Sequence, residues 1–468
     1  MAAEVEQVYR YARASRASLE PGRPEVVLAT SGGRTSSGAD EHPHLFDGFL
    51  EHAEQSATAL LAVADVARTR FYVPPGMLAR VLRHADPVIT SNGDRLRFES
   101  LSPCCGVYAR LDVLPDGLDR APAASGTTNV DLNPPVRAAL AGVVGNEPLH
   151  LAVGEHLTVT TLDAAEVERR VPLPRRWVAA FGEVQHACAA LRPVMEVDGP
   201  EARRFVQTVA SGASTAAPTW VAASGRGLRL TGRPGPGSVP LPGPDRLRAL
   251  RPLLRHATGL RVYGPVDAGG GDGVASAHGL GPAPQVSAWE LELRAARLVV
   301  VLSPERSRGF SGEGGVLYDL ADEQARDDAL LLSARLGFEQ QVDVDALAGA
   351  AGMPAGRARA AISHLAAAGR VGFDLHDGAW FHRDLPLTAA PAPGDLPRLR
   401  DALALVDSGA VSVDGDGSAV VRGDDDRLVG VDPRGGYSCS CPWWAKHGGR
   451  RGPCKHVLAV HVVRSRRG

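Results

Sequence analysis

Four candidate metal ligands lie close together near the end of this 468-residue chain. Two cysteines are separated by one residue, and twelve residues later a third cysteine is followed, again after one residue, by a histidine: Cys439, Cys441, Cys454 and His456. Soft thiolates and an imidazole are the ligands that Zn²⁺ prefers in tetrahedral sites. Four protein ligands leave no position open for water, so the pattern predicts a structural zinc ion and not a hydrolytic one.

Disulfide bonding and chance burial account for these cysteines less well than a metal does. Three cysteines cannot all pair with one another in disulfides, and the start of the chain lacks the apolar segment of a secretory signal. Unrelated buried thiols have no reason to repeat the one-residue spacing. A structural zinc site contributes about 10–16 kcal/mol of apparent binding free energy, which is enough to fold a small module that lacks a large core.

The charge around this array is strongly polarised. From residue 433 to the end the chain has eight Lys and Arg residues and no Asp or Glu, whereas residues 414–432 include six aspartates. A basic surface with exposed aromatic rings is typical of nucleic-acid contact. Alternatively, the tryptophans cover the metal site and the basic tail only aids solubility. The residues predicted to bind nucleic acid or a partner are Trp443, Trp444, Lys446, Arg450, Arg451, Lys455 and Arg464.

The two ligand pairs, with Pro442 after the first and Pro453 before the second, resemble the SWIM zinc finger. The order Cys454-Lys455-His456 also matches that family, and the resemblance covers roughly residues 398–463. Members of the family accompany Swi/Snf-type helicases, plant transposases and recombination factors. The resemblance therefore implies Zn²⁺ binding together with DNA binding or protein binding, and it does not decide between the two.

The bulk composition is that of a folded protein with several domains. The chain is too long for one core, its hydrophobic and charged contents are 44% and 22%, and its net charge is −2. No apolar run approaches the ~18 residues of a membrane span, so no membrane partner is expected. Free cysteines without an export signal predict a cytoplasmic location. The excess of Ala, Arg, Gly and Pro over Lys is similar to actinobacterial coding bias and predicts a bacterial source.

The fold class predicted is α+β multidomain, with a C-terminal SWIM zinc finger preceded by a winged helix. The predicted domains are an α+β domain at 1–200, an α+β middle domain with Gly- and Pro-rich loops at 201–320, a winged helix at 321–388, a linker at 389–396 and the zinc finger with its basic tail at 397–468.

Hydrophobic periodicity supplies the individual elements. Residues 51–68 have apolar positions at helical spacing, and residues 74–84 predict a second, shorter helix. Alternating patterns predict strands at 107–113, 157–159 and 296–302.

The winged helix is predicted from the order helix, turn, helix and hairpin, with the hairpin turning at Asp377-Gly378. A helix that reads DNA needs basic and polar residues on its exposed face. The second helix offers only Arg357, Arg359, Ser363 and His364 between alanines. Protein contact or packing within the chain is therefore at least as good an interpretation.

Motifs for known chemistry are missing elsewhere in the sequence. The glycine run 269–271 is not followed by the Lys-Ser/Thr of a phosphate loop, and the Gly-rich segment 268–284 reads as a loop. The polar, glycine-rich segment Arg306–Gly315 is either an ordinary loop or a binder of acidic groups. No nucleophile elbow, metalloprotease motif or dinucleotide fingerprint is present.

These observations predict a non-enzymatic protein whose zinc finger binds nucleic acid, with DNA preferred over RNA. One alternative is an adaptor that docks on an ATPase or another protein through the same basic face. A further alternative is an enzyme whose site lies in residues 1–320 and carries no recognised motif.

Overall fold

The computed structural model describes most of the chain: residues 7–11, 14–20, 23–72, 86–145, 149–154, 169–173, 175–211, 219–265, 285–386, 396–414, 418–432, 436–449 and 451–466. Several predicted features lie outside these residues. They are the helix at 74–84, the strand at 157–159, the loop at 268–284, the linker at 389–396 up to residue 395, and the basic residue Arg450.

The first part of the chain alternates short strands with helices. In chain order its elements are β1 (Gln7–Tyr11), β2 (Arg16–Glu20), β3 (Arg23–Leu28), β4 (Gly33–Thr35), β5 (Gly38–Asp40), β6 (Phe46–Leu50), α1 (Ala53–Arg68), β7 (Val88–Ser91), β8 (Leu96–Leu101), β9 (Val107–Val113), a 3₁₀ turn (Pro115–Gly117), β10 (Gly126–Asn129), α2 (Pro134–Gly142), β11 (Leu149–Val153), β12 (Arg169–Leu173) and α3 (Arg175–Ala189). Helix α1 confirms the helix predicted at 51–68, and it buries Ala57, Leu60 and Ala64 of the apolar stripe.

The middle part contributes long strands and a 3₁₀ helix. Its elements are β13 (Leu191–Asp198), α4 (Gly199–Ser211), β14 (Trp220–Ser224), β15 (Gly227–Thr231), β16 (Val239–Pro240), the 3₁₀ helix (Pro244–His256), β17 (Gly259–Pro265), β18 (Ser287–Leu293) and β19 (Ala296–Leu302). Strands β9 and β19 confirm the strands predicted at 107–113 and 296–302.

The last part is mainly helical and ends in a small sheet. Its elements are α5 (Leu317–Leu320), α6 (Glu323–Ser333), α7 (Val344–Ala350), α8 (Ala355–Ala367), β20 (Val371–Asp374), β21 (Ala379–His382), α9 (Pro397–Asp407), β22 (Val411–Val413), β23 (Ala419–Val421), β24 (Arg427–Val431), β25 (Tyr437–Cys439), α10 (Pro442–His447) and α11 (Lys455–Ser465).

Among the described residues, ten strands form one antiparallel sheet in the order β13-β17-β18-β19-β9-β8-β7-β10-β4-β5. The sheet includes strands from both sides of residue 200, because β9 pairs with β19 along its whole length. The domain boundary at residue 200 stays a prediction, but backbone hydrogen bonds join the two segments that it divides.

Smaller sheets surround this one. Strands β2, β3, β11 and β6 form a sheet in which only the β3–β11 pair is parallel, and β14 pairs with β15 and β16. Strands β22 to β25 form an antiparallel meander just before α10. None of the helices in the described part of the chain is both long and apolar enough to cross a lipid bilayer.

Both faces of the ten-stranded sheet are covered. Helices α1 and α4 and the 3₁₀ helix pack on one face, and α3 and the β20–β21 hairpin lie on the other. Because side chains alternate along a strand, β19 sends Leu298 and Val300 into the first core and Val299 and Val301 into the second. The sequence of β19 is therefore an almost continuous apolar run, because both faces of this strand are covered.

Buried charges join the hairpin to the second face of the sheet. Asp374, at the end of β20, lies 2.7 Å from Arg97, 3.2 Å from Arg110 and 3.3 Å from Arg297. These four side chains are at most 5% exposed. Burial alone would raise the pKa of Asp374, but the three guanidinium groups hold that pKa well below its ordinary value.

We expect Asp374→Asn to lower the free energy of unfolding by about 3–5 kcal/mol, because it removes one of the two buried carboxylates, Asp374 and Asp112, that three buried arginines share. The folded-state pKa of Asp374 is depressed, so its contribution is present above the unfolded value near ~4 and is lost as pH falls through the folded value. Urea unfolding of both proteins at neutral and acidic pH measures this effect.

The matched control is Asp424→Asn, since Asp424 is exposed in the turn between β23 and β24. This control should change the unfolding free energy by less than about 0.5 kcal/mol. A loss no larger for Asp374→Asn than for the control would show that the buried network does not hold the hairpin on the sheet.

Candidate metal centre

The four predicted ligands converge on one point. The ligand atoms of Cys439, Cys441, Cys454 and His456 all lie within 4.8 Å of one another. Tetrahedral zinc with bonds of about 2.3 Å to sulfur separates its ligands by about 3.8 Å. The Sγ atom of Cys439 lies 3.9 Å from Nδ1 of His456, so the donor set fits a single ion of this size.

Local secondary structure places each ligand. Cys439 is the last residue of β25, whereas Cys441 and Cys454 are the residues that cap the N-termini of α10 and α11. The Cys441 sulfur accepts a hydrogen bond from the Trp444 amide at 3.3 Å, and the Cys454 sulfur accepts one from the Val457 amide at 3.4 Å. Amide donors favour the thiolate form, which is the form that binds metal.

The thiols influence one another strongly. A hydrogen bond with the Cys454 thiol lowers the pKa of Cys439 to about 4, although burial opposes the change. The same hydrogen bond, together with burial, raises the pKa of Cys454. Close thiols of this kind share protons, and a divalent cation that replaces those protons relieves the repulsion between thiolates.

A second cluster of possible ligands has a different origin. Glu290, Glu292 and His376 also lie within 4.8 Å of one another. The Arg261 guanidinium lies among them, 3.6 Å from Glu290, 3.1 Å from Glu292 and 2.8 Å from Nδ1 of His376. Arginine already supplies the positive charge that these groups need, so this cluster does not call for a metal ion.

A C-x-C pair and a C-x-H pair that meet at one point define a four-ligand zinc finger. Residues 431–460 match the family model described as SWIM zinc finger. The chain therefore carries a SWIM zinc finger, as its sequence predicts, and its four ligands are positioned to hold a metal ion consistent with Zn²⁺.

Comparisons with whole proteins add little to this result. No curated protein matches the chain. Among the solved structures that do is the crystal structure of Proliferating Cellular Nuclear Antigen from Entamoeba histolytica, with 8% identity and a TM-score of 0.33 over 56% of this chain and 98% of that one. A TM-score of this size does not establish a shared fold.

Both tryptophans of the finger contact other residues of the chain. Trp444 is only 8% exposed and packs in the core of the finger. Trp443 is half-buried, with the Arg398 guanidinium 4.9 Å from its ring centre and the His447 ring at 5.0 Å. Both rings thus have partners within the chain.

The predicted basic residues divide into two groups. Arg451 forms a two-pronged ion pair with Glu305, whose Oε1 lies 2.6 Å from the arginine Nε. Lys446, Lys455 and Arg464 are exposed. Lys455 and Arg464 form no ion pair with another described residue, and they lie at opposite ends of α11.

The finger packs firmly against the rest of the chain. The Tyr318 ring of α5 stacks on Tyr437 at 5.9 Å and meets the edge of His461 at 5.1 Å. Arg398 of α9 donates hydrogen bonds to the carbonyls of Arg451 and Pro453 at 2.8 and 2.7 Å. These contacts join residues that are far apart in the chain, and no sequence motif predicts them.

We expect Cys454→Ser to remove the bound metal, from about one zinc per chain to near none, because the three remaining ligands no longer close the tetrahedron. The tail should then become sensitive to protease while residues 1–386 resist it. Elemental analysis and limited proteolysis measure the two effects.

Cys104→Ser is the matched control, because Cys104 is half-buried beside Ser102 and far in sequence from the finger. It should keep its zinc. Stoichiometric zinc in Cys454→Ser would disprove the ligand assignment, and digestion of the whole chain would disprove the independence of the tail.

Proposed function

We propose that this protein is a non-enzymatic, zinc-dependent nucleic-acid-binding protein that prefers DNA. The observation that carries the proposal is the exposed set Lys446, Lys455 and Arg464 on a finger whose residues from 436 onward include no carboxylate side chain. Positive side chains on a rigid support bind phosphates by releasing counterions. None of the six cysteines forms a disulfide, which is consistent with the reducing cytoplasm as its location.

The winged helix belongs to this proposal as a packing element. Helices α6, α7 and α8 and the β20–β21 hairpin follow the order of that fold. Each candidate DNA-reading side chain of α8 already has an acidic residue as its partner: Arg357 with Asp328 at 2.8 Å, Arg359 with Asp345 at 3.0 Å, and Ser363 and His364 with the side chain and carbonyl of Asp319 at 2.6 and 3.0 Å. Helix α8 therefore offers little to a DNA groove, and the finger is the better candidate.

The double variant Lys455→Ala/Arg464→Ala tests the basic surface. If each side chain contacts one phosphate, the variant should bind single- and double-stranded oligonucleotides more weakly. The slope of log affinity against log salt should become shallower by about 2. Fluorescence anisotropy of full-length, zinc-loaded protein over a salt series measures both quantities.

The matched control is Arg229→Ala/Arg233→Ala, since these arginines are also exposed but lie at the small sheet formed by β14, β15 and β16. It should retain the affinity and slope of the unmodified protein. Equal losses in both variants would mean that only net charge matters, and a lack of binding at low salt would refute the function.

One observation favours the adaptor as a second function. Leu330 and Leu331 of α6 are 71% and 54% exposed, and Leu330 borders an apolar groove of about 240 Å³ that also includes Leu365 and Leu399. Large exposed apolar side chains beside such a groove are typical of a surface that receives an apolar helix of a partner protein.

Leu330→Asp/Leu331→Asp tests the adaptor function. If it is correct, a partner identified by mass spectrometry after nuclease treatment should bind the purified protein directly, and the variant should weaken that binding at least about tenfold. Leu428→Asp, on the exposed face of β24, is the matched control. A partner that binds both variants equally well does not use this groove.

A further inference from the structure

A cleft of about 580 Å³ lies where the zinc finger meets the body of the protein. One wall is the finger loop between the two ligand pairs, with Lys446, His447 and Arg451. The opposite wall is formed by α3 and by the segment Arg306–Gly315. The sequence of this segment is that of an ordinary loop or of a binder of acidic groups. The volume lies within the range of about 300–1,000 Å³ typical of ligand sites.

Arg308 is a cation that lines this cleft. Its side chain is half-buried, and that side chain forms no hydrogen bond or ion pair with another described residue. Burial, followed by the positive charges of Arg451 and Lys446 and then of Arg308, lowers the pKa of His447, although the charge of Glu305 opposes the change. Several cations therefore act on the same space from both walls of the cleft.

Each carboxylate that lines the cleft already has a hydrogen-bond or ion-pair partner within the chain. Glu305 pairs with Arg451, and Glu313 pairs with Arg398 at 3.5 Å. Glu183 accepts hydrogen bonds from the amides of Ser311 and Gly312 at 2.6 and 2.7 Å. The positive charge of Arg308 lowers the pKa of Glu183 against the effect of burial, but no carboxylate in the described part of the chain forms an ion pair with Arg308.

The segment that carries Arg308 brings its backbone to the surface of the cleft. Gly309, Gly314 and Gly315 line the cleft without side chains. The amides of Gly314 and Gly315 donate no hydrogen bond to another described residue. The same segment already holds one anion, the Glu183 carboxylate, on two successive amides. Successive amides of this kind form concave sites for anions.

From these features we propose that the cleft is a phosphate-binding site, in which the Arg308 guanidinium grips a phosphate group of a bound nucleic-acid strand and Lys446 approaches it from the finger. That the ligand is a nucleic acid rests on the proposed function, whereas binding of a phosphate group in the cleft does not. A planar guanidinium can donate two parallel N–H hydrogen bonds to two oxygens of one phosphate group. The site is complete only when the finger is folded, because Lys446 lies on the finger.

The test uses the full-length, zinc-loaded protein and its Arg308→Ala and Arg308→Lys variants. Isothermal titration with inorganic phosphate, and separately with a single-stranded oligothymidylate, gives the two affinities. Arg308→Ala should weaken both at least about tenfold, and Arg308→Lys, which keeps the charge but loses the fork, should weaken them less. Phosphate should also displace the oligonucleotide with its own dissociation constant.

Arg229→Ala, at an exposed site in β15, is the control and should bind both probes within about twofold of the unmodified protein. Zinc content and circular dichroism confirm that each variant is folded. Equal phosphate affinity in Arg308→Ala and the unmodified protein, or no saturable phosphate binding in the unmodified protein, would overturn the phosphate site.

The two proposals fail in different ways. Oligonucleotide binding that depends on Lys455 and Arg464 but not on Arg308 would refute the cleft and leave the proposed function intact. Phosphate binding that depends on Arg308, with no oligonucleotide bound at low salt, would confirm the anion site and refute the nucleic-acid function.

Discussion

The meeting of three sulfur atoms and one imidazole at a single point is the constraint on which the C-terminal part of the molecule depends. The β22–β25 meander and helices α10 and α11 are too small to bury a core of ordinary size, and their apolar cluster includes the ligand sulfurs themselves. The positions of Trp443, Arg451 and Lys446 all follow from the loop that the metal closes. Every surface of the finger that faces the body therefore depends on the metal site.

Buried charge plays the corresponding role in the larger part of the chain. Arg97, Arg110 and Arg297 would be costly on a covered sheet face without anions. Asp112 of β9 supplies one anion, 2.9 Å from Arg110 and 3.2 Å from Arg97. Asp374 brings a second from a hairpin more than seventy residues further along the chain. Phe381 of the same hairpin lies 4.1 Å from the Arg97 guanidinium, so an aromatic ring also helps to cover it. The hairpin is thus fixed by electrostatic fit as well as by apolar packing.

The sequence predicted the parts of this structure that depend on local pattern. The ligand spacing of Cys439, Cys441, Cys454 and His456, the stripe of α1 and the apolar run of β19 each depend on nearby residues, so each was readable from the chain. The pairing of β9 with β19 joins segments about 190 residues apart, which no local signal specifies. The partners of Arg451 and Arg398 are also distant in the chain, so the sequence does not specify them, and it does not specify the contact of Arg398 with the Trp443 ring.

The shared wall between the finger and the cleft makes two binding equilibria reciprocal. Lys446 and Arg451 line the cleft and belong to the loop between Cys441 and Cys454, so a metal that holds this loop also holds one wall of the cleft. If the bound metal makes binding of a molecule in the cleft more favourable by some free energy, that molecule makes metal binding more favourable by the same amount. The affinity of this protein for its ion, measured in competition with a chelator, would then report on what the cleft holds.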